Sequence, residues 1–396
     1  MSAPTAKVTA AKVPAANVPA ASVTAAVEAA AASGFEGSTR AHRAEWLRAL
    51  ADALDADRRE LMAIARIETH LSEARLNGEI TRTATQLRFF ADVALEGSYL
   101  EATLDAPDNS LVPPRPALRR MLRPLGVVAV FAASNFPFAF SVLGNDTASA
   151  LAAGCPVVVK AHPGHPELSR RVASLAVRTL AEAGAPDGCF ALVEGVDAGV
   201  ALVQHPRVTA VGFTGSTRGG RALFDLACAR PAPIPFYGEL GSLNPVVVTP
   251  EAAGADLAGI AAGLAGSFTR DGGQYCTKPG IVFIPEGTGF EAALTAALPG
   301  VLAASPAQSL LTEGMTAAFA TGSAALGARG DSEVLFAVAD DAEAGAGAGA
   351  GAGADTDATD ATTHAHGTGV TSSPVITTPV VTTPVVIATS AAAFAA

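Results

Sequence analysis

Two stretches of the sequence combine residue types that acyl chemistry needs. Glu239 stands between glycines in residues 235–245, and Cys276 lies 37 residues further on, after the turn Gly272-Gly273-Gln274. A thiolate is a polarizable nucleophile, and a carboxylate can be the base that activates the thiol or a water molecule. We interpret Cys276 as a nucleophile and Glu239 as its base. Two other interpretations stay open from these residues alone: Cys276 as a small buried core side chain, and Glu239 as a helix cap.

Three motifs surround these residues: Glu239-Leu240-Gly241, Asn244-Pro245 and Gly273-Gln274-Tyr275-Cys276. Through them the sequence resembles the aldehyde dehydrogenase superfamily, and the resemblance runs from about residue 38 to about residue 290. Within the superfamily it is most similar to the 2-oxoglutarate semialdehyde (2,5-dioxopentanoate) dehydrogenases. That similarity rests on Gly78-Glu79, Arg82-Thr83, Gln86-Leu87-Arg88, Ala133-Ser134-Asn135-Phe136-Pro137, residues 146–150 and Lys160-Ala161-His162-Pro163.

The resemblance implies that an aldehyde is oxidised to a carboxylate. Cys276 would add to the aldehyde carbon, and the side-chain amide of Asn135 with the backbone amide of Cys276 would hold the oxyanion. Glu239 would then deprotonate the water that hydrolyses the thioester. The expected substrate is 2-oxoglutarate semialdehyde, whose distal carboxylate Arg82 or Arg88 would bind by a bidentate contact. An ordinary structural arginine is the alternative for each.

The elements that position these residues follow from short apolar runs that contain β-branched residues. Such runs, bounded by turn residues, predict buried parallel strands over residues 126–131, 156–160, 189–193 and 208–213. Helical stretches at about 141–153, 166–183 and 197–204 alternate with them. The alternation predicts an α/β fold with a doubly wound, Rossmann-type cofactor domain. Ligands of such sheets lie beyond the carboxyl ends of the strands, which places Asn135, Lys160 and Gly215 at one rim.

A glycine-rich turn over residues 213–220 lies at that rim. It contains Gly215, Ser216 and Gly220 but no Gly-x-Gly-x-x-Gly pattern. Glycine lets a backbone approach a pyrophosphate, and the amides at a helix start favour its negative charge. Together with the resemblance, the turn predicts a dinucleotide site.

We predict that Lys160, His162 and Leu240 complete that cofactor site. Many relatives that prefer NAD carry a glutamate three residues after the lysine, where this sequence has Pro163. The resemblance therefore implies NADP, with NAD as the alternative. Without that carboxylate, the site repels the 2'-phosphate of NADP less. His162 and His165 form a His-x-x-His pair, but no third ligand lies nearby in the sequence, so we predict no metal site.

Composition limits the number of domains, the kinds of partner and the cellular compartment that we expect. The chain has 396 residues, 49% of them hydrophobic, which suggests two or three domains. A formal net charge of -11 without a basic patch argues against a nucleic-acid partner. The four cysteines are far apart, which favours a reducing cytoplasm. No apolar run is long and uncharged enough to span a bilayer, and prolines interrupt the first thirty residues, so we predict neither a membrane segment nor a signal peptide.

We predict four segments along the chain. They are a low-complexity arm over residues 1–24, helices and the NAD(P)-binding domain over 25–240, an incomplete α/β catalytic domain over 241–340, and a poorly ordered low-complexity tail over 341–396. The Glu-x-Phe-Gly-Pro motif with which full-length relatives contact the nicotinamide ribose is not found. We therefore expect a C-terminally truncated chain.

Two hypotheses about function follow. One is an aldehyde dehydrogenase acting on a small aldehyde; the family predicts a homo-oligomer, although the expected truncation argues against that assembly. The other is a catalytically impaired remnant that keeps dinucleotide or partner binding.

Overall fold

The computed structural model describes residues 23–304, 309–330, 332–337, 376–380 and 383–389. The predicted arm lies outside these residues except for its last two, which begin a helix, and most of the predicted tail lies outside them too. The chain divides into two compact units. The first contains the residues up to Glu68 and Glu73–Leu240, and the second contains Thr69–Ser72 and the residues from Gly241 onward.

Four helices precede the central sheet of the first unit: α1 (Val23–Ala32), α2 (Arg40–Ala56), α3 (Arg58–Thr69) and α4 (Glu73–Glu96). The leucines of α2 recur every three or four residues, and Leu47, Leu50 and Leu54 are fully buried. This spacing sets one apolar stripe along the helix, which packs into the core. Thr39 caps α2 by accepting a hydrogen bond from the amide of His42, at 3.2 Å.

A short antiparallel pair and then a parallel sheet follow along the chain. The elements are β1 (Thr103–Asp105), β2 (Leu118–Arg120), β3 (Val127–Phe131), α5 (Asn145–Ala153), β4 (Val157–Lys160), α6 (Pro166–Glu182), β5 (Phe190–Val193), α7 (Val196–Gln204), β6 (Val208–Thr214), α8 (Thr217–Cys228) and β7 (Phe236–Glu239). The sheet has the order β5-β4-β3-β6-β7, and all its neighbouring strands are parallel. This arrangement confirms the predicted doubly wound α/β fold.

The sequence pattern does not predict β7. Its residues are bounded by Pro235 and include Gly238, so they lack the apolar β-branched run that identifies the other four strands. Pairing with β6 makes the segment a strand, in the register Val211↔Phe236 to Thr214↔Glu239. The consequence is that Glu239 ends a strand of this sheet.

Helices cover both faces of the sheet. On one face α1, α7 and α8 pack around a core that includes Val27, Phe131, Val158 and Phe213. The helices α5 and α6, which connect β3 to β4 and β4 to β5, lie on the opposite face, and α2 and α4 pack against them. The direction of winding reverses between β3 and β6. That reversal opens the crevice in which sheets of this kind bind ligands.

The second unit has its own helices and strands. They are β8 (Val246–Val247), α9 (Pro250–Thr269), β9 (Val282–Phe283), α10 (Phe290–Ala303), α11 (Glu313–Gly327), β10 (Ser332–Ala337), β11 (Ile376–Val380) and β12 (Thr383–Thr389). β8 and β9 pair in parallel, whereas β10, β12 and β11 form an antiparallel sheet in that order. Its core contains Phe268, Phe290, Leu294 and Leu298. In the part of the chain that is described, no helix has both the length and the apolar character needed to cross a bilayer.

Candidate active site

The carboxyl ends of the parallel strands bring several predicted residues to one rim of the first unit. Phe131 at the end of β3 pairs with Lys160 on one side and with Phe213 on the other. Asn135 follows β3, and Gly215 follows β6. All three predicted rim residues, Asn135, Lys160 and Gly215, therefore lie at the ends of adjacent strands, as the strand pattern predicted.

Asn135 lies on a loop, residues 132–144, that is folded tightly on itself. The amide of Ala133 donates to the carbonyl of Phe140 at 2.8 Å, and the amide of Asn145 donates to the carbonyl of Ala139 at 3.0 Å. Gly144 has no room for a side chain, because an added Cβ would lie 2.6 Å from the carbonyl oxygen of Ala139. The backbone that carries Asn135 is thus held by its own hydrogen bonds.

The glycine-rich turn leads from β6 into α8 and presents its backbone to solvent. A Cβ at Gly215 would lie 2.8 Å from the ring of Phe213, and one at Gly220 would lie 2.1 Å from Leu240. Ser216 caps α8, with its hydroxyl oxygen accepting from the amide of Gly219 at 3.2 Å. Bare backbone and a capped helix start fit the binding of a pyrophosphate. Leu240 packs against this turn, because its side chain contacts Gly220.

Lys160 ends β4, which β3 separates from β6 and its turn, and His162 follows two residues later. Burial is the main cause of the pKa shifts of both residues. Burial lowers the pKa of the Lys160 ammonium. It also lowers the pKa of His162 to about 3, with smaller contributions from the charges of His165 and Lys160. The Nδ1 atom of His162 accepts a hydrogen bond from the amide of Gly164 at 3.0 Å, so its proton lies on Nε2. His162 can therefore donate a hydrogen bond to a ligand but supplies no positive charge near neutral pH.

His165 uses both ring nitrogens within the protein. Its Nε2 donates to the carbonyl of Ala133 at 2.9 Å, and its Nδ1 lies 3.1 Å from the hydroxyl of Ser169. Neither nitrogen remains for a metal. Across the described ranges, His, Cys, Asp and Glu side chains form no group of three that could hold a metal ion.

Glu239 is exposed at the end of β7, where its carbonyl accepts a hydrogen bond from the amide of Gly215 at 3.0 Å. This hydrogen bond joins the backbone of the predicted base directly to the glycine-rich turn. Because Glu239 ends a strand, the alternative interpretation as a helix cap is wrong.

Asp146, in the first turn of α5, is a second acid in this region that the sequence did not single out. Its carboxylate lies over Gly212 of β6, where an added Cβ would be 3.0 Å from Oδ2. Burial raises the pKa of Asp146, and the negative charge of Glu239 raises it further. With Tyr237, Asp146 lines a cavity of about 270 Å³ between α5 and the sheet. Its only sequence signal is its place in the stretch of residues 146–150.

Cys276 lies in the second unit on a loop, residues 274–280, that follows a short 3-10 helix (Arg270–Gly273) and that two polar side chains anchor. The Nδ2 atom of Asn244 donates to the carbonyls of Cys276 at 2.6 Å and Lys278 at 2.9 Å, and the hydroxyl of Ser242 also donates to the carbonyl of Cys276. The thiol-bearing residue is exposed. The alternative that Cys276 is a buried core side chain is therefore wrong.

Left-handed backbone explains the glycines before Cys276. Asp271, Gly272 and Gly273 have φ of 47°, 69° and 73°. Consecutive residues in this region of φ/ψ space need glycine or a short polar side chain. The side chain of Gln274 then links the loop to the following helical region, because its Oε1 accepts from the amide of Leu311 at 3.0 Å.

The two arginines predicted to bind substrate have different surroundings on α4. Arg88 forms ion pairs with Asp52 and Asp55, at 2.7 and 2.8 Å, so its charge is already balanced within the helical scaffold. Arg82 is exposed, and its guanidinium lies 5.6 Å from the ring centre of Phe136 and 5.0 Å from that of Phe140. These contacts favour a structural role, and not substrate binding, for Arg88. They place Arg82 next to the loop that carries Asn135.

The remaining cysteines were expected to be packing residues. Cys155 and Cys189 are buried and fit that expectation, and burial raises the pKa of both thiols. Cys228, the last residue of α8, is exposed, so the packing interpretation is wrong for it. A helix end leaves its last residues open to solvent, which the helical pattern did not reveal.

Comparison with known proteins identifies the family. The profile of the aldehyde dehydrogenase family matches residues 1–308, well over half of the chain. The chain belongs to the aldehyde dehydrogenase family. Alpha-ketoglutaric (2-oxoglutarate) semialdehyde dehydrogenase 2 of Azospirillum brasilense is 47% identical to it over 285 residues, which cover 71% of this chain and 54% of that enzyme.

Two further aldehyde dehydrogenases are similar to this chain, which supports the same family assignment. The alpha-ketoglutaric semialdehyde dehydrogenase of Acinetobacter baylyi is 41% identical over 293 residues, covering 74% of this chain and 56% of that enzyme. The crystal structure of an NAD-dependent aldehyde dehydrogenase from Sinorhizobium meliloti superposes with a TM-score of 0.67 at 26% identity, covering 81% of this chain and 62% of that one. The predicted resemblance is confirmed. This aldehyde dehydrogenase chain spans about half the length of the curated relatives it matches.

Proposed function

We propose that this chain carries out the NAD(P)-dependent oxidation of 2-oxoglutarate semialdehyde to 2-oxoglutarate. The observation that carries the proposal is the exposed thiol of Cys276 on an anchored loop, in a chain 47% identical to a semialdehyde dehydrogenase. Asn135 and Glu239 lie in the first unit and Cys276 lies in the second. We propose that these three residues act together.

In the first step the thiolate of Cys276 forms a bond to the aldehyde carbon, and the carbonyl electron pair moves to oxygen. The side-chain amide of Asn135 and the backbone amide of Cys276 donate hydrogen bonds to this oxyanion. A nicotinamide cofactor held by the turn at Gly215 and Ser216 with Lys160 and His162 would supply the acceptor for the hydride of the same carbon. Cys276 then holds the acyl group as a thioester.

In the second step Glu239 removes a proton from water, and the resulting hydroxide adds to the thioester carbon. The carbon–sulfur bond breaks, which frees the carboxylate product and returns Cys276 as a thiolate. The exposure of Glu239 at the end of β7 supports this role, because the base must reach solvent water. Asp146 adds a second carboxyl group beside it.

For the cofactor we propose NADP, with NAD as the alternative. The residues of the first unit fit a dinucleotide: Gly215 and Gly220 leave no room for a side chain at their positions, and Ser216 caps the helix start. Lys160 would supply the positive charge near the ribose, and His162 would supply a neutral hydrogen-bond donor. Pro163 offers no carboxylate to repel a 2'-phosphate.

For the substrate we propose that Arg82 binds the distal carboxylate. Its guanidinium lies 5.6 Å from the ring centre of Phe136 and 5.0 Å from that of Phe140, both on the loop that carries Asn135. Arg88 is instead paired with two aspartates. A planar guanidinium suits bidentate binding of a carboxylate.

Dinucleotide binding without turnover is the second candidate function. It is favoured by one observation: the proposed cofactor residues Lys160 to Leu240 all lie in the first unit, whereas the nucleophile lies in the second. Binding would therefore need only part of the proposed machinery. The two candidates give different outcomes in one experiment.

The experiment mixes the full chain with 2-oxoglutarate semialdehyde and NADP or NAD and follows the absorbance of reduced cofactor. We expect turnover by the wild type and by Cys228→Ala, a control at the other exposed thiol, and none by Cys276→Ala. Calorimetric titration of each variant with NADP measures binding separately. Binding without turnover in the wild type would establish dinucleotide binding as the function and would contradict aldehyde oxidation.

A further inference from the structure

A buried carboxylate on α4 lies beneath the loop that carries Asn135. Glu79 is 3% exposed, and burial raises the pKa of its carboxyl group, while Arg75 and backbone amides act in the opposite direction. Burying a carboxylate is unfavourable unless partners replace its lost water. The identity of those partners shows what the side chain does.

Glu79 divides its two oxygens between a side chain and a loop. Its Oε1 accepts from Arg75, one helical turn earlier, at 2.7 Å from Nη2 and 2.9 Å from Nε. Its Oε2 accepts from the backbone amides of Phe138 and Ala139, at 3.3 and 3.5 Å. The carboxylate thus ties the loop after Asn135 to the helix.

Arg75 extends the same contact to the Asn135 backbone itself. Its Nη2 donates to the carbonyl oxygen of Asn135 at 3.2 Å, and its guanidinium lies 4.4 Å from the ring centre of Phe136. Together the two α4 side chains contact four of the five residues from Asn135 to Ala139. A planar, charged group with several fixed donors restricts such a backbone more than a single hydrogen bond does.

We propose that Glu79 and Arg75 are positioning residues for Asn135, which fix the backbone so that its side-chain amide meets the oxyanion. The inference rests on the proposed function, since it assumes the oxyanion role of Asn135. Hydrogen-bond donors stabilise a developing charge only when they are held in place before the reaction. Displacing such a group by about 1 Å can lower the rate by about a hundred-fold.

The test compares Glu79→Gln with Glu73→Gln in the full chain. Glu73 is in the first turn of the same helix and pairs at the surface with Arg66, so it is a matched control. Hydrogen exchange of the Phe138 and Ala139 amides gives a readout that needs no turnover. We expect faster exchange of both amides in Glu79→Gln and unchanged exchange in Glu73→Gln. Equal exchange rates in the wild type and both variants would overturn the inference.

A kinetic cycle separates positioning from a merely structural contribution. We expect Glu79→Gln to lower kcat by about ten- to a hundred-fold with little change in KM, and to have little further effect in an Asn135→Ala background. Equal effects in both backgrounds would overturn the positioning role even if exchange becomes faster.

Two other outcomes are also decisive. If Glu79→Gln does not fold, Arg75→Lys keeps the charge but loses the planar donors, and the same exchange and kinetic criteria apply to it. A wild type that binds NADP but forms no reduced cofactor would overturn the proposed function, and the catalytic part of this inference with it. The exchange rates would still show whether Glu79 holds the loop.

Discussion

Arg82 and Arg88 lie on the same helix but have different partners, so they make a matched pair for substitution. We expect Arg82→Gln to raise KM for 2-oxoglutarate semialdehyde about ten-fold or more, because a charge-assisted hydrogen bond contributes roughly 1.5–3 kcal/mol. KM for an uncharged aldehyde should change little. Arg88→Gln removes ion pairs with Asp52 and Asp55 and should leave the ratio of the two KM values unchanged. Steady-state kinetics with both aldehydes checks this, and equal effects of Arg82→Gln on both would remove it from the substrate site.

His162 makes stability depend on pH. Its pKa is about 3 in the folded chain and near 6.5 when exposed, so below pH 6.5 the unfolded chain binds a proton that the folded chain does not. Stability therefore falls as the pH drops from 6.5 towards 3, by about 2 kcal/mol at pH 5. His162→Asn, which keeps an acceptor for the amide of Gly164, should reduce this loss. Urea unfolding at pH 7.5 and pH 5 measures it, and an identical loss in both proteins would refute the explanation.

The loop that carries Cys276 depends on a side chain from a distant part of the second unit. Asn244→Ala removes the hydrogen bonds to the carbonyls of Cys276 and Lys278, each contributing roughly 0.5–1.5 kcal/mol. We expect the amides of Lys278 and Gly280 to exchange about ten-fold faster or more, because local opening becomes easier. Asn109→Ala, at an exposed position, is the control. Unchanged exchange in Asn244→Ala would show that other contacts hold the loop.

Short apolar runs predicted four strands of the sheet because a strand buried on both faces needs mainly apolar residues. Val157, Val158 and Val159 of β4 are all fully buried. β7 escaped prediction because its pairing partner, and not its own sequence, makes it a strand. Strand ends in turn predicted where Asn135, Lys160 and Gly215 lie.

The supporting side chains could not be predicted in the same way. Glu79 meets the amide of Phe138 across 59 residues of sequence, and Asn244 meets the carbonyl of Cys276 across 32. Neither spacing belongs to a local pattern, so the contacts exist only once the chain has folded. The exposure of Cys276, which excludes a core role, is likewise a property of the folded chain.

The two compact units divide the proposed chemistry between them. The first contains the proposed cofactor residues with Asn135 and Glu239, and the second contains Cys276, the proposed nucleophile. We therefore expect substitutions of the proposed nucleophile and of the proposed base to fail at different steps. Substitutions of Cys276 should abolish hydride transfer, whereas substitutions of Glu239 should permit it and block hydrolysis.

Trapping the acyl group tests this division most directly. Glu239→Gln is mixed with 2-oxoglutarate semialdehyde and NADP, quenched with acid and digested, and the peptide that contains Cys276 is weighed by mass spectrometry. We predict that this peptide gains one 2-oxoglutaryl group for each reduced cofactor formed, while the wild-type peptide stays unmodified at the end of the reaction. Reduced cofactor formed by Glu239→Gln with an unmodified Cys276 would contradict the mechanism.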